Sequence, residues 1–199
     1  MILGSVDPSQ SLYWLTSRAA GTAALLFASA SVFVGALRAG GLAGSAPRGS
    51  RRRLELAIIH EALGWATIVA LLIHGFVLMG DNYLPQNFVD IAVPFVGPFH
   101  PVPNGIGIIS GYVFMVLSLT YYIRDRFGEA RWKAVHRLVL LAWVGSIVHT
   151  LGEGTDREQA WFLVVLAVPA IAALVALGMR VRGPARSEPA APPGAQPTA

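Results

Sequence analysis

The chain has 199 residues and no cysteine, and its charged fraction of 13% is half of the roughly 25% found in soluble domains. The net charge is +4 and the mean hydropathy is +0.57. These values predict an integral membrane protein that does not bind nucleic acid, and they exclude disulfides, thiolate haem ligands, iron–sulfur clusters and CxxCH haem attachment.

Five apolar stretches approach or exceed the length that crosses a bilayer, which is about 20 residues. The predicted spans are about Leu12–Leu37, Leu54–Met79, Ile106–Ile123, Lys133–Leu151 and Ala160–Val181. A further apolar stretch, Phe88–Phe99, is too short to span and is expected to lie at or dip into the interface. The predicted fold class is therefore all-α, an integral membrane helical bundle of about five transmembrane helices.

Basic residues cluster on one side of the predicted bundle. The first loop, the third loop and the tail together hold twelve, whereas the opposite side holds two, Arg18 and Arg157. The positive-inside rule then places the N-terminus outside and the C-terminus in the cytoplasm of a bacterial inner or plasma membrane. Residues 1–11 are expected to form an outer segment, residues 12–181 the transmembrane domain, and residues 182–199, rich in proline and alanine, a disordered cytoplasmic tail.

Two of the predicted spans each carry two histidines. His60 and His74 are 14 residues apart in the second span, and His136 and His149 are 13 apart in the fourth. Because these spans are parallel in the predicted topology, the histidines form two pairs at depths about 20 Å apart. Imidazoles inside a membrane are costly and usually functional.

Pairs at two depths do not supply the convergent ligands of a zinc site, but haem iron accepts one axial imidazole from each side. Two stacked b-type haems are therefore predicted, forming a path for electrons across the membrane. Histidines that only make packing hydrogen bonds are the structural alternative. Proton translocation is another, although Glu61 is the sole intramembrane carboxylate and is interpreted as a cap or a partner of an arginine.

The 13-residue spacing poses a geometric problem. At 100° per residue, 14 residues return to within about 40° of the same helix face, but 13 miss it by about 140°. The fourth span therefore needs a π-bulge, a kink or a roll, and Gly145 and Ser146 are the places proposed for it.

The sequence resembles the ferric reductase-like transmembrane domain of NADPH oxidases, iron reductases and the MsrQ (YedZ) haem proteins. The resemblance covers about Trp14 to Leu151 and is carried by the four spaced histidines, by GEARWKAVHRLVLLAWVGSIVH in the fourth span and by WLTSRAAGTAALLFASASVFVGALR in the first. It implies that His60 and His136 hold an inner haem and His74 and His149 an outer one. It also implies that Arg18 lies near the outer haem propionates and that Trp143 lies between the haems; interfacial snorkelling and packing are their respective alternatives.

Two departures from the family pattern bear on function. The oxidases and iron reductases continue into a flavin and NADPH domain, where this chain has its proline- and alanine-rich tail, so a separate flavoprotein reductase or quinol is expected as donor. Leu78 stands where the oxidases have a further histidine, which disfavours superoxide production. The prediction is an electron-transfer protein that delivers electrons to ferric iron, O₂ or a partner protein outside.

Several points stay open at this stage. The chain is either an oxidoreductase of the ferric reductase-like type or the membrane haem subunit of one. The alternative function is that of a haem-binding sensor or haem-handling protein without electron transfer across the membrane. The fifth histidine, His100, assists an acceptor, binds a metal ion or caps its loop, and the last of these is favoured.

Overall fold

The computed structural model describes residues 8–39, 49–81, 85–154 and 157–182, and these residues form helices joined by short turns. The predicted tail and most of the predicted outer segment lie outside the described residues. Short 3₁₀ turns at Leu78–Gly80 and Thr120–Ile123 extend two of the helices. The α-helices are α1 (Pro8–Ala39), α2 (Arg51–Val77), α3 (Phe88–Ala92), α4 (Pro101–Leu119), α5 (Arg124–Phe127), α6 (Glu129–His136), α7 (Val139–Glu153) and α8 (Ala160–Arg182).

The all-α fold class and the five spans are confirmed. Among the described residues, five segments are long and apolar enough to cross a membrane: Leu12–Ala39, Arg51–Gly80, Pro101–Phe127, Glu129–Glu153 and Ala160–Met179. The third span begins five residues before its predicted start, because Pro101 occupies the first turn of α4, where a proline needs no backbone donor. The apolar stretch Phe88–Phe99 forms only the five-residue helix α3 and is not among the spans.

Helix α1 is the centre of the bundle. It packs along α2 and α8 and also contacts α7, while α4 packs along α7. Within its span 44% of the residues are buried, against 11–17% in the other four. Its buried residues are mostly small, which lets neighbouring backbones approach closely. They include Ser17, Ala24, Ala28, Ser29, Ser31 and Ala36.

Helix α2, which carries His60 and His74, and helix α7, which carries His149 and follows His136 at the end of α6, have little direct contact with each other. Each instead lies against a backing helix, α1 for α2 and α4 for α7. The parallel arrangement predicted for these two spans is borne out by the side chains that meet across the gap, since His60 approaches His136 and His74 approaches His149. The histidine side chains therefore meet in pairs across the gap between the two spans.

The fourth span is broken, as its spacing requires, but not where it was expected. Helix α6 ends at His136 and α7 begins at Val139. The backbone N–H groups around the break bond to carbonyls three residues earlier, in the 3₁₀ pattern. These bonds are Leu138 to Val135 (2.9 Å), Leu140 to Arg137 (3.1 Å) and Leu141 to Leu138 (3.0 Å). A 3₁₀ residue turns about 120° instead of 100°, which recovers part of the 140° deficit.

The proposed break at Gly145 and Ser146 is wrong. Both residues lie inside the continuous helix α7, and the Ser146 hydroxyl donates to the Ala142 carbonyl of its own helix at 2.9 Å. Gly145 has a different role, because a Cβ at this position would collide with the Ser110 hydroxyl of α4. The glycine therefore permits close contact between α4 and α7.

The described residues give the bundle one basic and one acidic end. The basic end is where α1 ends, α2 begins and α5 and α6 lie, and its cations include Arg38, Arg51, Arg52, Arg53, Arg124, Arg126, Arg131 and Lys133. The acidic end is where α2 and α7 end, and it carries Asp81, Asp90, Glu153 and Glu158. The pair His60–His136 is called the basic-end pair below, and His74–His149 the acidic-end pair.

Candidate functional site

The four predicted histidines are brought together as two pairs. The ring centres of His60 and His136 are 6.2 Å apart, and those of His74 and His149 are 6.1 Å apart. Within each pair the ring planes are close to perpendicular, at 83° and 73°. No group of three or more His, Asp or Glu side chains in the described part of the chain has the geometry of a compact metal site. The arrangement is thus two pairs of imidazoles rather than one cluster.

The proton on three of the four imidazoles is placed by a backbone carbonyl. The Nδ1–H of His74 donates to the Ser17 carbonyl at 2.8 Å, and that of His60 donates to the Ser31 carbonyl at 3.0 Å. The Nδ1–H of His149 donates to the Pro103 carbonyl at 2.9 Å. Because a carbonyl can only accept, the proton is on Nδ1 and the lone pair is on Nε2.

The two serines add a second contact to their histidines. Ser17 Oγ lies 3.0 Å from Nδ1 of His74, and its hydroxyl donates to the His74 carbonyl at 2.8 Å. Ser31 Oγ lies 3.0 Å from Nδ1 of His60. Each serine therefore offers two oxygens to one imidazole N–H, which fixes the ring against α1.

This geometry fits a metal ion held between the two rings of each pair. Two imidazoles bound from opposite sides, each through a metal–nitrogen bond of about 2.0 Å, have ring centres about 6 Å apart. Metal-bound histidines typically donate their other ring N–H to a carbonyl or carboxylate, as three of these four do. A pair of imidazoles with free Nε2 atoms is also the donor set that haem iron accepts on its two axial sides.

Glycines on the backing helices make room for the same three rings. A Cβ built on Gly21 would lie 2.8 Å from Nδ1 of His74, and one on Gly35 would lie 3.1 Å from Cε1 of His60. A Cβ on Gly107 would lie 2.5 Å from Nδ1 of His149. Any side chain at these positions would push the imidazole away from the carbonyl that orients it.

His136 is held differently from the other three. Its Nδ1 is buried without a well-formed hydrogen bond, and the Leu117 carbonyl, which is close enough to act on the ring, accepts from the Thr120 hydroxyl at 2.7 Å. The indole of Trp132 stacks on the imidazole instead, with ring centres 4.9 Å apart and planes 21° apart. Trp132 in turn contacts the ring of Tyr121 and donates its Nε1–H to the Thr120 hydroxyl at 3.3 Å.

Trp143 lies in the core of the bundle between the two depths. Its side chain is 2% exposed, and its Nε1–H donates to the Ser29 hydroxyl of α1 at 2.9 Å. It is seven residues after His136 and six before His149 on the same chain segment. This position agrees with the depth implied by the family resemblance, and the hydrogen bond also gives the residue a packing role.

Two arginines of α1 lie near the two pairs. Arg18 directly follows Ser17, the partner of His74, and its guanidinium lies 4.9 Å from the centre of the Trp14 ring. Arg38 lies three residues beyond Gly35 and is close enough to act electrostatically on both His60 and His136. Arg18 was predicted as a site residue, whereas Arg38 was counted only as a basic residue of the first loop.

His100 is not part of either pair. It lies at the start of α4, at the acidic end, and its Nδ1 is 3.2 Å from Oε2 of Glu153. This contact ties the loop before α4 to the end of α7, and the His100 side chain makes no hydrogen bond that caps α4.

The residues that orient the histidines were missed by the sequence interpretation. They are Ser17, Gly21, Ser31, Gly35, Pro103, Gly107 and Trp132. A signal for part of this set was present, because the pattern Ser-x₃-Gly occurs twice in the first span at the same 14-residue interval as His60 and His74. The other positions show no such pattern, since they follow from how α4 packs against α7.

The fold and the site together define a multi-pass helical membrane protein with two transmembrane histidine pairs. Residues 20–147 match the family described as ferric reductase like transmembrane component, and the chain therefore belongs to this family. The match includes His60, His74 and His136, while Arg18 and His149 lie just outside it. Domains of this family generally bind haem and are associated with electron transfer in membranes. Comparisons with curated proteins and with solved structures found no match.

Proposed function

We propose that this protein is a dihaem b-type carrier that moves electrons across the membrane. The observation that supports it best is that the four imidazoles form two pairs, with ring centres 6.1–6.2 Å apart, and that Nδ1 carries the proton on three of the four rings, which leaves the lone pair on Nε2. His60 and His136 would hold one haem, and His74 and His149 the other. Each haem iron supplies a one-electron carrier when it is bound.

The surrounding residues have supporting roles in this proposal. The apolar helices would exclude water, and the rise of 13 or 14 helical residues corresponds to about 20 Å between the two pairs. Arg18 would balance the propionate charge of the haem at the acidic end. Trp143, buried between the two depths, would provide an aromatic group on the route from one haem to the other.

The charge distribution supports a direction for the transfer. The positive-inside rule places the basic end in the cytoplasm, so electrons would arrive at His60 and His136 and leave at His74 and His149. The donor would be a separate flavoprotein reductase or quinol. The acceptor outside would be ferric iron, O₂ or a partner protein, each reduced one electron at a time.

Haem counting on purified protein tests the ligand assignment. The wild-type chain should show a reduced b-type spectrum with about two haems per chain, since each pair provides two axial imidazoles. His60→Ala or His136→Ala should remove the basic-end haem, and His74→Ala or His149→Ala the acidic-end haem. His100→Ala is the matched control and should keep both, because this histidine contacts Glu153 instead of another histidine. A haem-free chain from cells grown with ample haem would refute the proposal.

Transfer across a sealed bilayer separates this proposal from a haem-binding sensor. Vesicles that contain the protein and trap Fe³⁺ inside are mixed with dithionite or reduced flavin outside. Reduction of the trapped iron is expected with the wild type and is expected to be lost in His60→Ala and His149→Ala. A protein that keeps both haems but reduces no trapped Fe³⁺ would favour the sensor or haem-handling alternative.

A further inference from the structure

The three anchored histidines share one backbone arrangement. In each case the carbonyl that accepts from Nδ1–H belongs to residue i of a backing helix, and residue i+4 of that helix is a glycine. The three units are Ser17 with Gly21 for His74, Ser31 with Gly35 for His60, and Pro103 with Gly107 for His149. Two of the units are in α1 and one is in α4, so the arrangement is not a property of one helix.

The glycine at i+4 has a physical reason. In an α-helix the Cα–Cβ bond tilts toward the N-terminus, so the side chain of residue i+4 covers the turn that contains the carbonyl of residue i. Without that side chain, the carbonyl oxygen accepts a second donor from a neighbouring helix. The measured clearances agree, since a Cβ on Gly21 or Gly107 would lie 2.8 or 2.5 Å from the Nδ1 that donates to the carbonyl.

The fourth position tests this relation within the same molecule. Leu117 is 14 residues after Pro103, as Ser31 is 14 residues after Ser17, and its carbonyl is the one near Nδ1 of His136. The residue four positions on is Tyr121, which has a large side chain. Here no well-formed hydrogen bond joins Nδ1 of His136 to the Leu117 carbonyl, which instead accepts from the Thr120 hydroxyl at 2.7 Å.

We propose that these glycine-opened carbonyls are positioning elements that set the tautomer, the ring plane and the donor strength of three of the four axial imidazoles. The proposal rests on the function proposed above, since it concerns the ligands of the two haems. A carbonyl bonded to Nδ1–H makes the imidazole a stronger donor and so favours ferric over ferrous iron. The acidic-end pair has two such anchors and the basic-end pair has one, on His60.

Single alanine substitutions test each anchor separately in the full-length, haem-loaded protein. Gly21→Ala and Gly107→Ala should raise the midpoint potential of the acidic-end haem and alter its ferric EPR signal, while the basic-end haem stays unchanged. Gly35→Ala should raise the midpoint potential of the basic-end haem and leave the acidic-end haem unchanged. Gly111→Ala is the matched control on α4, because a Cβ there meets nothing within 4 Å. Potentials are measured by redox titration, and the two haems are distinguished by titrating each substitution in a His60→Ala or His149→Ala background.

The outcomes distinguish this proposal from the one on which it rests. Variants that match Gly111→Ala in potential and EPR signal at both haems would overturn the positioning role and leave the dihaem function intact. A wild-type chain without haem would overturn both. If one glycine variant does not assemble, the other two decide the matter, because each unit has its own carbonyl and its own histidine. A shift confined to the haem of the substituted unit supports the proposal, and no shift in any assembled variant overturns it.

Discussion

At the level of single residues, the four histidines differ in what fixes their rings. His74 and His60 each meet two oxygens of a serine and His149 meets one carbonyl, whereas Nδ1 of His136 has no well-formed hydrogen bond and the ring stacks on Trp132. A ring held by a hydrogen bond has a defined plane, whereas a stacked ring is free to slide in its plane. The basic-end pair therefore combines one hydrogen-bonded and one stacked ligand.

The angles between the ring planes give a spectroscopic prediction. Perpendicular axial imidazoles split the iron d orbitals less than parallel ones do and produce a highly anisotropic low-spin ferric EPR signal. The two pairs, at 83° and 73°, should therefore both give signals with a large g value at low temperature. EPR of the oxidised wild-type protein checks this, and His60→Ala isolates the acidic-end signal. A rhombic spectrum typical of parallel rings would contradict the ring orientations described above.

The two α1 arginines show what a residue count misses. Arg18 lies three residues before Gly21, toward the acidic end, and Arg38 lies three residues after Gly35, toward the basic end. Arg38 was assigned to the orientation signal because it ends an apolar stretch. Its position relative to Gly35 and its electrostatic effect on His60 become visible only when α1 is packed against α2.

At the level of helices, the contact between α4 and α7 controls where His149 lies. The anchor of His149 is the Pro103 carbonyl of α4, and Gly145 lets α7 approach Ser110 of the same helix. A longer side chain at 145 must separate the two helices, since the Ser110 hydroxyl occupies the space a Cβ needs. The acidic-end pair thus depends on a residue whose missing side chain makes room for α4 and not for either histidine.

Gly145→Leu is therefore expected to release the acidic-end haem and to keep the basic-end one, because the basic-end anchor of His60 is on α1. Overpacking of this kind costs about 1–3 kcal/mol, or more where the backbone must move. Gly178→Leu on α8 is the control, since a Cβ there meets nothing within 4 Å. Haem content and denaturation in mixed micelles are the measurements. Loss of stability with both haems retained would argue against the dependence of His149 on this helix contact.

The sequence predicted the helices and the histidine pairs because both depend on local patterns. Long apolar stretches mark the spans, and the 14- and 13-residue intervals place two histidines on each of two helices. The intervals also predicted that the fourth span must deviate from a straight α-helix. The location of this break, directly after His136, was not predictable in this way, because neither Arg137 nor Leu138 is a glycine or proline.

The anchors were beyond a sequence argument for a similar reason. Which carbonyl meets which Nδ1 depends on the register between two helices, and helix register in a membrane follows from the packing of small residues, which many alignments of the same helices satisfy. The repeated Ser-x₃-Gly of α1 matches the histidine interval of α2 and indicates a register. Pro103 and Gly107 stand alone in α4 and give no such indication.

At the level of the whole molecule, charge separates the two ends of the bundle. The short loops and helix ends at the basic end hold most of the described arginines and lysines, and the acidic end holds Asp81, Asp90, Glu153 and Glu158. In a membrane protein this asymmetry orients the chain during insertion, so it bears on the proposed direction of electron transfer and not on the fold.

The absence of native cysteine makes this orientation directly measurable. Arg126→Cys introduces a thiol at the exposed basic end, and Glu158→Cys introduces one at the exposed acidic end. With a membrane-impermeant maleimide on intact cells, Glu158→Cys should be labelled and Arg126→Cys should react only after permeabilisation, because the positive-inside rule keeps the basic end in the cytoplasm. The cysteine-free parent controls for background labelling. The opposite labelling pattern would show that the bundle has the opposite orientation in the membrane. The proposed electron transfer would then end at His60 and His136 instead of at His74 and His149.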